Sequence, residues 1–188
     1  MSFNVSADAY LRFMGRYSEP LAARFADLAG VHGGQRVLDV GCGPGALTAE
    51  LVNRAGAGAV SAVEPSASFA AAARDRLPGV DIRQSAAEEL PFPDAAFDAA
   101  GVREGHLAEL FAQAGLDAIQ VTTLTVRVRQ AGFESWWETY TLGVGPAGAY
   151  LTSLPAARRD ELRERCRRLV PAGPFDISAT AWAATATP

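Results

Sequence analysis

The sequence contains no lysine: its 17 basic residues are all arginine, set against 21 acids for a formal net charge of -4. A phosphate-backbone partner calls for a basic face, so a nucleic-acid substrate is disfavoured. Cysteine is almost as scarce, and Cys42 and Cys166 are too few and too far apart for a disulfide framework. The two histidines, His32 and His106, have no Cys or His at ligand spacing, which argues against a metal site. Long apolar runs are also lacking, so no segment is expected to span a bilayer. The opening residues Met1 to Ser6 have neither the basic start nor the apolar core of a secretory signal, and we expect a cytoplasmic protein. What remains is ordinary globular composition in 188 residues, enough for one well-buried core. We expect a single domain over 1–188.

The chain is organised around Arg36 to Gly45, Arg-Val-Leu-Asp-Val-Gly-Cys-Gly-Pro-Gly. Val37, Leu38 and Val40 form a short apolar run of the kind that is buried on both faces of a parallel sheet. Gly41, Gly43 and Gly45 follow, then helix-compatible sequence from Ala46, a strand-turn-helix whose missing β-carbons let a ligand approach the backbone.

Before this stretch, Ala7 to Arg16 carries Tyr10, Leu11, Phe13 and Met14 on helical spacing. Ser18-Glu19-Pro20 reads as the start of a second helix that stops at Gly30. After it come a helix over 46–55, a strand over 59–63, a helix capped by Ser66, a short strand over 80–83, a proline-marked loop over 88–94 and a strand over 96–101. The alternation predicts a doubly wound α/β fold with a mostly parallel sheet.

Beyond Gly101 the pattern predicts a helix over 106–114, a long strand over 118–129, helices over 133–142, 146–154 and 155–170, and a last strand over 177–184 antiparallel to the long one. Leu162, Cys166 and Leu169 are expected to form the inner stripe of the third of these helices, with its charges solvated.

Glu64 ends the strand after the glycine turn, close to the spacing of about 20 residues at which an acid meets a ribose. A carboxylate can accept a hydrogen bond from each hydroxyl of a cis-diol. The residues alone point to a nucleoside-containing cofactor. Gly41, Gly43 and Ala46 also fit the Gly-x-Gly-x-x-Gly/Ala fingerprint of NAD-binding folds, so an NAD-dependent oxidoreductase stays open at this point.

Three segments in order, Val-Leu-Asp-Val-Gly-Cys-Gly-Pro-Gly45, Val-Glu-Pro-Ser66 and Ala-Glu-Glu-Leu-Pro-Phe-Pro-Asp-Ala-Ala-Phe-Asp98, resemble the cofactor motifs of class I S-adenosylmethionine-dependent methyltransferases of the small-molecule type. The resemblance implies a Rossmann-like sheet with S-adenosyl-L-methionine as cofactor. It implies that Gly41, Cys42 and Gly43 lie along the methionine and ribose and that Glu64 holds the ribose diol. Pro65 and Ser66 would border the adenine, and Ala87 and Glu88 would lie at its edge. Many relatives carry an aspartate two residues before this glutamate, where this chain has Ala86, so adenine recognition would rest on the Ala87 amide and on packing. The reaction implied is in-line attack by a small-molecule acceptor on the sulfonium methyl. No general base is assigned, Glu104, His106, Tyr10 and Tyr17 being candidates by residue type alone.

By the family plan, residues 1–30 are an N-terminal helical arm, 36–100 the cofactor half and 101–188 a shortened C-terminal half. A loop, helix and fifth strand are expected after Ala100, but Phe-Asp-Ala-Ala runs directly into Gly-Val-Arg-Glu-Gly-His. Relative to the plan, a block of roughly 30 residues or more is missing. We therefore expect about six strands, with the antiparallel C-terminal hairpin moving in to pair with the fourth strand. A cofactor-binding but catalytically impaired chain is the alternative reading.

Overall fold

A computed structural model describes residues 6–93, 96–97, 99–102, 112 and 115–187. Contacts divide it into two compact units, one of residues 18–125 with 180–188 and one of residues 1–17 with 126–179.

The first unit is built on four parallel strands in the order β3-β2-β1-β4, with β1 at Val37–Val40, β2 at Val60–Val63, β3 at Asp81–Arg83 and β4 at Ala99–Val102. Val37 pairs with Val60 on one side and with Ala99 on the other. The chain steps outward from β1 to β2 to β3 and then crosses back to place β4 beside β1. This reversal puts a crevice at the carboxyl end of β1, where open α/β sheets take their ligands. All four β1 residues are buried, which explains its apolar run.

Val37 and Val60 pack with Ala26, Val31 and Leu51, whereas Leu38, Val40 and Val63 pack under Phe92 and Phe97. Successive residues of β1 thus serve opposite faces, as strand geometry requires. Helix α3 (Ala46–Ala55) follows β1, and α4 (Ala67–Arg76) follows β2 under a cap in which Ser66 Oγ accepts from the Phe69 amide. The proline loop is pinned to β3 by Arg83, which donates to the Pro91 carbonyl at 2.6 Å and lies 4.4 Å from the Phe92 ring centroid.

The N-terminal segment departs from expectation. Helix α1 (Ala7–Tyr10) passes through a π-helical turn at Leu11–Gly15 straight into α2 (Arg16–Leu28), so Ser18 lies inside a helix and not at its start. Pro20 therefore lies inside the helix, where it has no N–H to donate to the preceding turn. The stop at Gly30 is as expected: φ is +63° and the Val31 amide donates back to Ala26.

Strands β5 (Asp117–Gln130) and β6 (Phe175–Thr187) form a separate two-stranded sheet. Thr125 meets Thr180 at 2.8 Å and Arg129 meets Asp176 at 3.2 Å, a register that is antiparallel. Among the described residues the strands number six, but the expected pairing of this hairpin with β4 is not found there, and β4 ends its sheet. The two hairpin strands satisfy each other's backbone groups instead, β5 pairing with β6.

Helices α5 (Phe133–Thr141), α6 (Gly145–Ser153) and α7 (Ala156–Leu169) lie between these strands in sequence. The stripe expected on α7 is found in part: Leu162 and Cys166 are half-buried, whereas Leu169 is 78% exposed and no α7 residue is fully buried. The helix is held also through its charges, with Arg163 and Arg167 donating to Glu134 at 2.5 and 2.8 Å and facing the Phe133 ring. All of the expected helix over 106–114 except residue 112 falls outside the described residues, as do Glu104 and His106.

Candidate functional site

The first turn after β1 is fastened to β2 by backbone alone. The Gly41 and Cys42 amides both donate to the Val63 carbonyl, at 2.8 and 3.1 Å. Glu64 follows Val63, and its own amide donates to the Arg83 carbonyl at 3.1 Å, so the acid is fixed where three strands end together.

Its side chain is equally constrained. Glu64 is 7% exposed, and its oxygens accept from the Gly43 amide at 2.8 Å and the Ser66 amide at 2.9 Å. One carboxylate thus ties the glycine turn to the start of α4. Gly41, Cys42, Gly43, Glu64 and Ser66 are brought together by this network, with Pro65 exposed between the last two. Ala87 and Glu88 sit on a separate exposed turn closed by the Glu89 amide on the Ala86 carbonyl. That segment is linked to Pro65 through Gln84, whose amide donates to the Pro65 carbonyl at 3.3 Å.

The glycines of the turn have different reasons to be glycine. Gly43 has φ +56°, and a β-carbon there would meet no atom within 4 Å, so the turn presents bare backbone to open space. At Gly45 φ is +89° and a β-carbon would stand 2.9 Å from Leu77 and 3.6 Å from Ala73, so this position is closed by packing against α4. Gly45 leads into α3 without a side-chain cap, and the first-turn amides of α3 are not capped by it.

Asp39 does not face the turn as a reactive acid. It is 3% exposed and accepts from Thr48 Oγ at 2.7 Å, which anchors the first part of α3 to β1. Thr48 was not singled out by the sequence. Its only signal is a hydroxyl placed early in a helix that follows an acid-bearing strand. Cys42 is inert: burial first, then the nearby Asp39 and Glu64 carboxylates, push its thiol up to about 12. Of the residues considered as a base, Tyr10 is 5% exposed. Burial raises the Tyr17 phenol above its ordinary range, so it stays protonated at neutral pH.

The open backbone at Gly43 and the buried diol-capable acid at Glu64 suit a nucleoside cofactor. Comparison with known proteins shows the family. The methyltransferase-domain family matches residues 37–123. A trans-aconitate 2-methyltransferase of Rhodopseudomonas palustris (strain BisB5) is 30% identical over 180 residues, covering 87% of this chain and 70% of the relative. The chain belongs to the class I S-adenosylmethionine-dependent methyltransferases.

Similarity to other members is more local. The ubiquinone/menaquinone biosynthesis C-methyltransferase UbiE of Pseudomonas syringae pv. syringae (strain B728a) is 41% identical over 90 residues, and the chain spans only 35% of its length. The crystal structure of YcgJ from Bacillus subtilis shares the fold, with TM-score 0.54, 15% identity, and coverage of 89% of this chain and 98% of that one. Among the described residues no helix is long and apolar enough to cross a membrane, and no cluster of His, Cys, Asp and Glu could hold a metal ion.

Proposed function

We propose that this chain transfers the methyl group of S-adenosylmethionine to a small-molecule acceptor, with residues 1–188 acting as one methyltransferase-like domain. The observation that carries the reading is the seat of Glu64. Each of its oxygens already accepts one backbone N–H, and each has a second lone pair for one hydroxyl of a ribose cis-diol. The acid is therefore oriented before the cofactor arrives, which lowers the cost of binding.

Gly41, Cys42 and Gly43 would lie along the methionine and ribose, Pro65 and Ser66 beside the adenine, and Ala87 and Glu88 at its edge. The cofactor supplies, when bound, a methyl group already activated by positive sulfur. The chain's own part is to bind, to align the acceptor and to exclude water. No residue is assigned as base. Relatives matched over 87% of this chain carry the name of trans-aconitate, a small tricarboxylic acid, which supports a small acidic acceptor.

Calorimetry with S-adenosylhomocysteine and with NAD tests the cofactor. Binding of the first and not the second is expected; tight NAD binding with no S-adenosylhomocysteine binding would remove the proposal. A second reading, that the chain binds cofactor but is catalytically impaired, is favoured by β4 ending its sheet among the described residues. Labelled-methyl transfer across a panel of small acids separates the two, since the second predicts cofactor binding without transfer.

A further inference from the structure

We propose that Arg16 and Gln130 form a carboxylate-binding subsite in the unit of residues 1–17 and 126–179. The two side chains are 114 residues apart and joined by one hydrogen bond, from an Arg16 terminal nitrogen (Nη1) to Gln130 Oε1 at 3.0 Å. The second terminal nitrogen donates to the Arg12 carbonyl at 3.2 Å. The third nitrogen of the guanidinium, Nε, is buried and its N–H has no partner among the described residues, and neither does the Gln130 amide nitrogen, Nε2. Gln130 is 1% exposed, among the most deeply buried side chains of the protein.

This pattern has a definite chemical sense. Both unmet groups are donors, so what completes them is an acceptor. The Gln130 carbonyl oxygen is occupied by Arg16, which fixes the amide with its NH2 as the free end. Glutamine is neutral and brings no charge to pair with the guanidinium, and Glu138 is engaged by Arg12 at 3.1 Å. A half-buried cation whose buried N–H is unfilled favours an anion over a neutral acceptor. Arginine's planar fork and the flat amide both suit the two coplanar oxygens of a carboxylate. The burial of these two nitrogens strengthens a charged hydrogen bond made to them.

Two carboxylates are available to such a protein, that of an acidic acceptor and that of the methionine end of the cofactor. The assignment to either rests on the methyltransferase reading, whereas the subsite itself does not. The experiment compares the wild-type chain with Gln130→Glu. The glutamate puts its own anionic oxygens beside Arg16, so it is expected to keep or raise the thermal midpoint while blocking the site.

Calorimetry is run with trans-aconitate, with its neutral trimethyl ester, with S-adenosylhomocysteine and with 5′-methylthioadenosine, which lacks the amino-acid carboxylate. If the subsite serves the acceptor, the wild type binds trans-aconitate and not the ester, and Q130E weakens it about 10- to 100-fold with S-adenosylhomocysteine unchanged. If it serves the cofactor, Q130E weakens S-adenosylhomocysteine by a similar factor and leaves 5′-methylthioadenosine unchanged. Either result supports the subsite and names its source. The proposal is overturned if a cooperatively folded Q130E binds every carboxylate as the wild type does, if the ester binds as tightly as the acid, or if no carboxylate-dependent binding is found in the wild type. A wild type that binds trans-aconitate but not S-adenosylhomocysteine would remove the methyltransferase reading and leave the subsite standing.

Discussion

Two buried polar centres of this protein are built in opposite ways. At Glu64, both carboxylate oxygens are filled by amides of the turns that they join. At Arg16 and Gln130, two side chains share one bond and leave two donors unmet. The first centre is complete as a structural element and can accept more, because a carboxylate oxygen has a second lone pair. The second has a buried deficit that only an acceptor removes. Filled donors and open lone pairs make a pre-set cradle, whereas open donors make a site whose stability depends on what enters it.

The largest effect that would break this comparison is at the cradle. Glu64→Ala leaves the Gly43 and Ser66 amides without their acceptor. We expect a stability loss of about 2 to 4 kcal/mol and S-adenosylhomocysteine binding at least ~100-fold weaker, measured by urea unfolding and calorimetry. Glu64→Gln keeps the volume but turns an NH2 toward one of the two amides, so an intermediate loss is expected in both measurements. If E64A unfolds like the wild type, the acid is not the tie that its geometry indicates.

Gly45→Ala should cost less, about 1 to 3 kcal/mol, because it combines a left-handed backbone with a β-carbon 2.9 Å from Leu77. Truncating Leu77 to Ala in the same chain relieves the contact and leaves the backbone strain. A double-mutant cycle should therefore show positive coupling between the two positions. Additive losses would mean that strain alone accounts for the glycine.

The two centres also differ in how far the sequence reveals them. The cradle is written locally: an apolar tetrad, three glycines, and an acid one strand and one helix later. Its parallel strands and the helices beside them fell within a few residues of their expected places because hydrophobic period and capping residues set them. Arg16 and Gln130 carry no such signal, since side chains 114 residues apart meet only through the fold.

The errors have the same origin. Ser18 looks like a helix cap, but the π-helical turn at Leu11–Gly15 carries the helix through it. Leu162, Cys166 and Leu169 have the spacing of an inner stripe, yet Leu169 is exposed and α7 is held also by arginines paired to Glu134 on another helix. The hairpin was expected at β4 because an open edge invites pairing, but edge chemistry does not specify which strand arrives.

The cradle makes a further prediction through Cys42. Its thiol is about 12 in the folded protein against 9.0 for the free side chain. Between these values the unfolded chain loses its proton and the folded chain keeps it. Stability that is intact below pH 9 should thus fall as pH rises toward 12, by up to about 1.4 kcal/mol per unit. Urea unfolding at stepped alkaline pH should show this slope in the wild type and lose it in Cys42→Ala. A disulfide reagent at pH 8 should modify Cys166, which is partly exposed, and spare Cys42.

The smallest effect lies at the surface of the other unit. Hydrogen bonds from Arg163 and then from Arg167 hold the Glu134 carboxyl below its ordinary range. A lowered acid contributes above its unfolded value and loses the contribution as pH falls through the folded one. Both arginines also cover the Phe133 ring, so their stems pack as well as pair. Glu134→Gln should therefore remove the salt and acid sensitivity of this contact and change the thermal midpoint only slightly. Arg167→Ala should lower the midpoint further, because it strips the ring of its cover. Equal shifts would show that charge, not packing, joins α7 to α5.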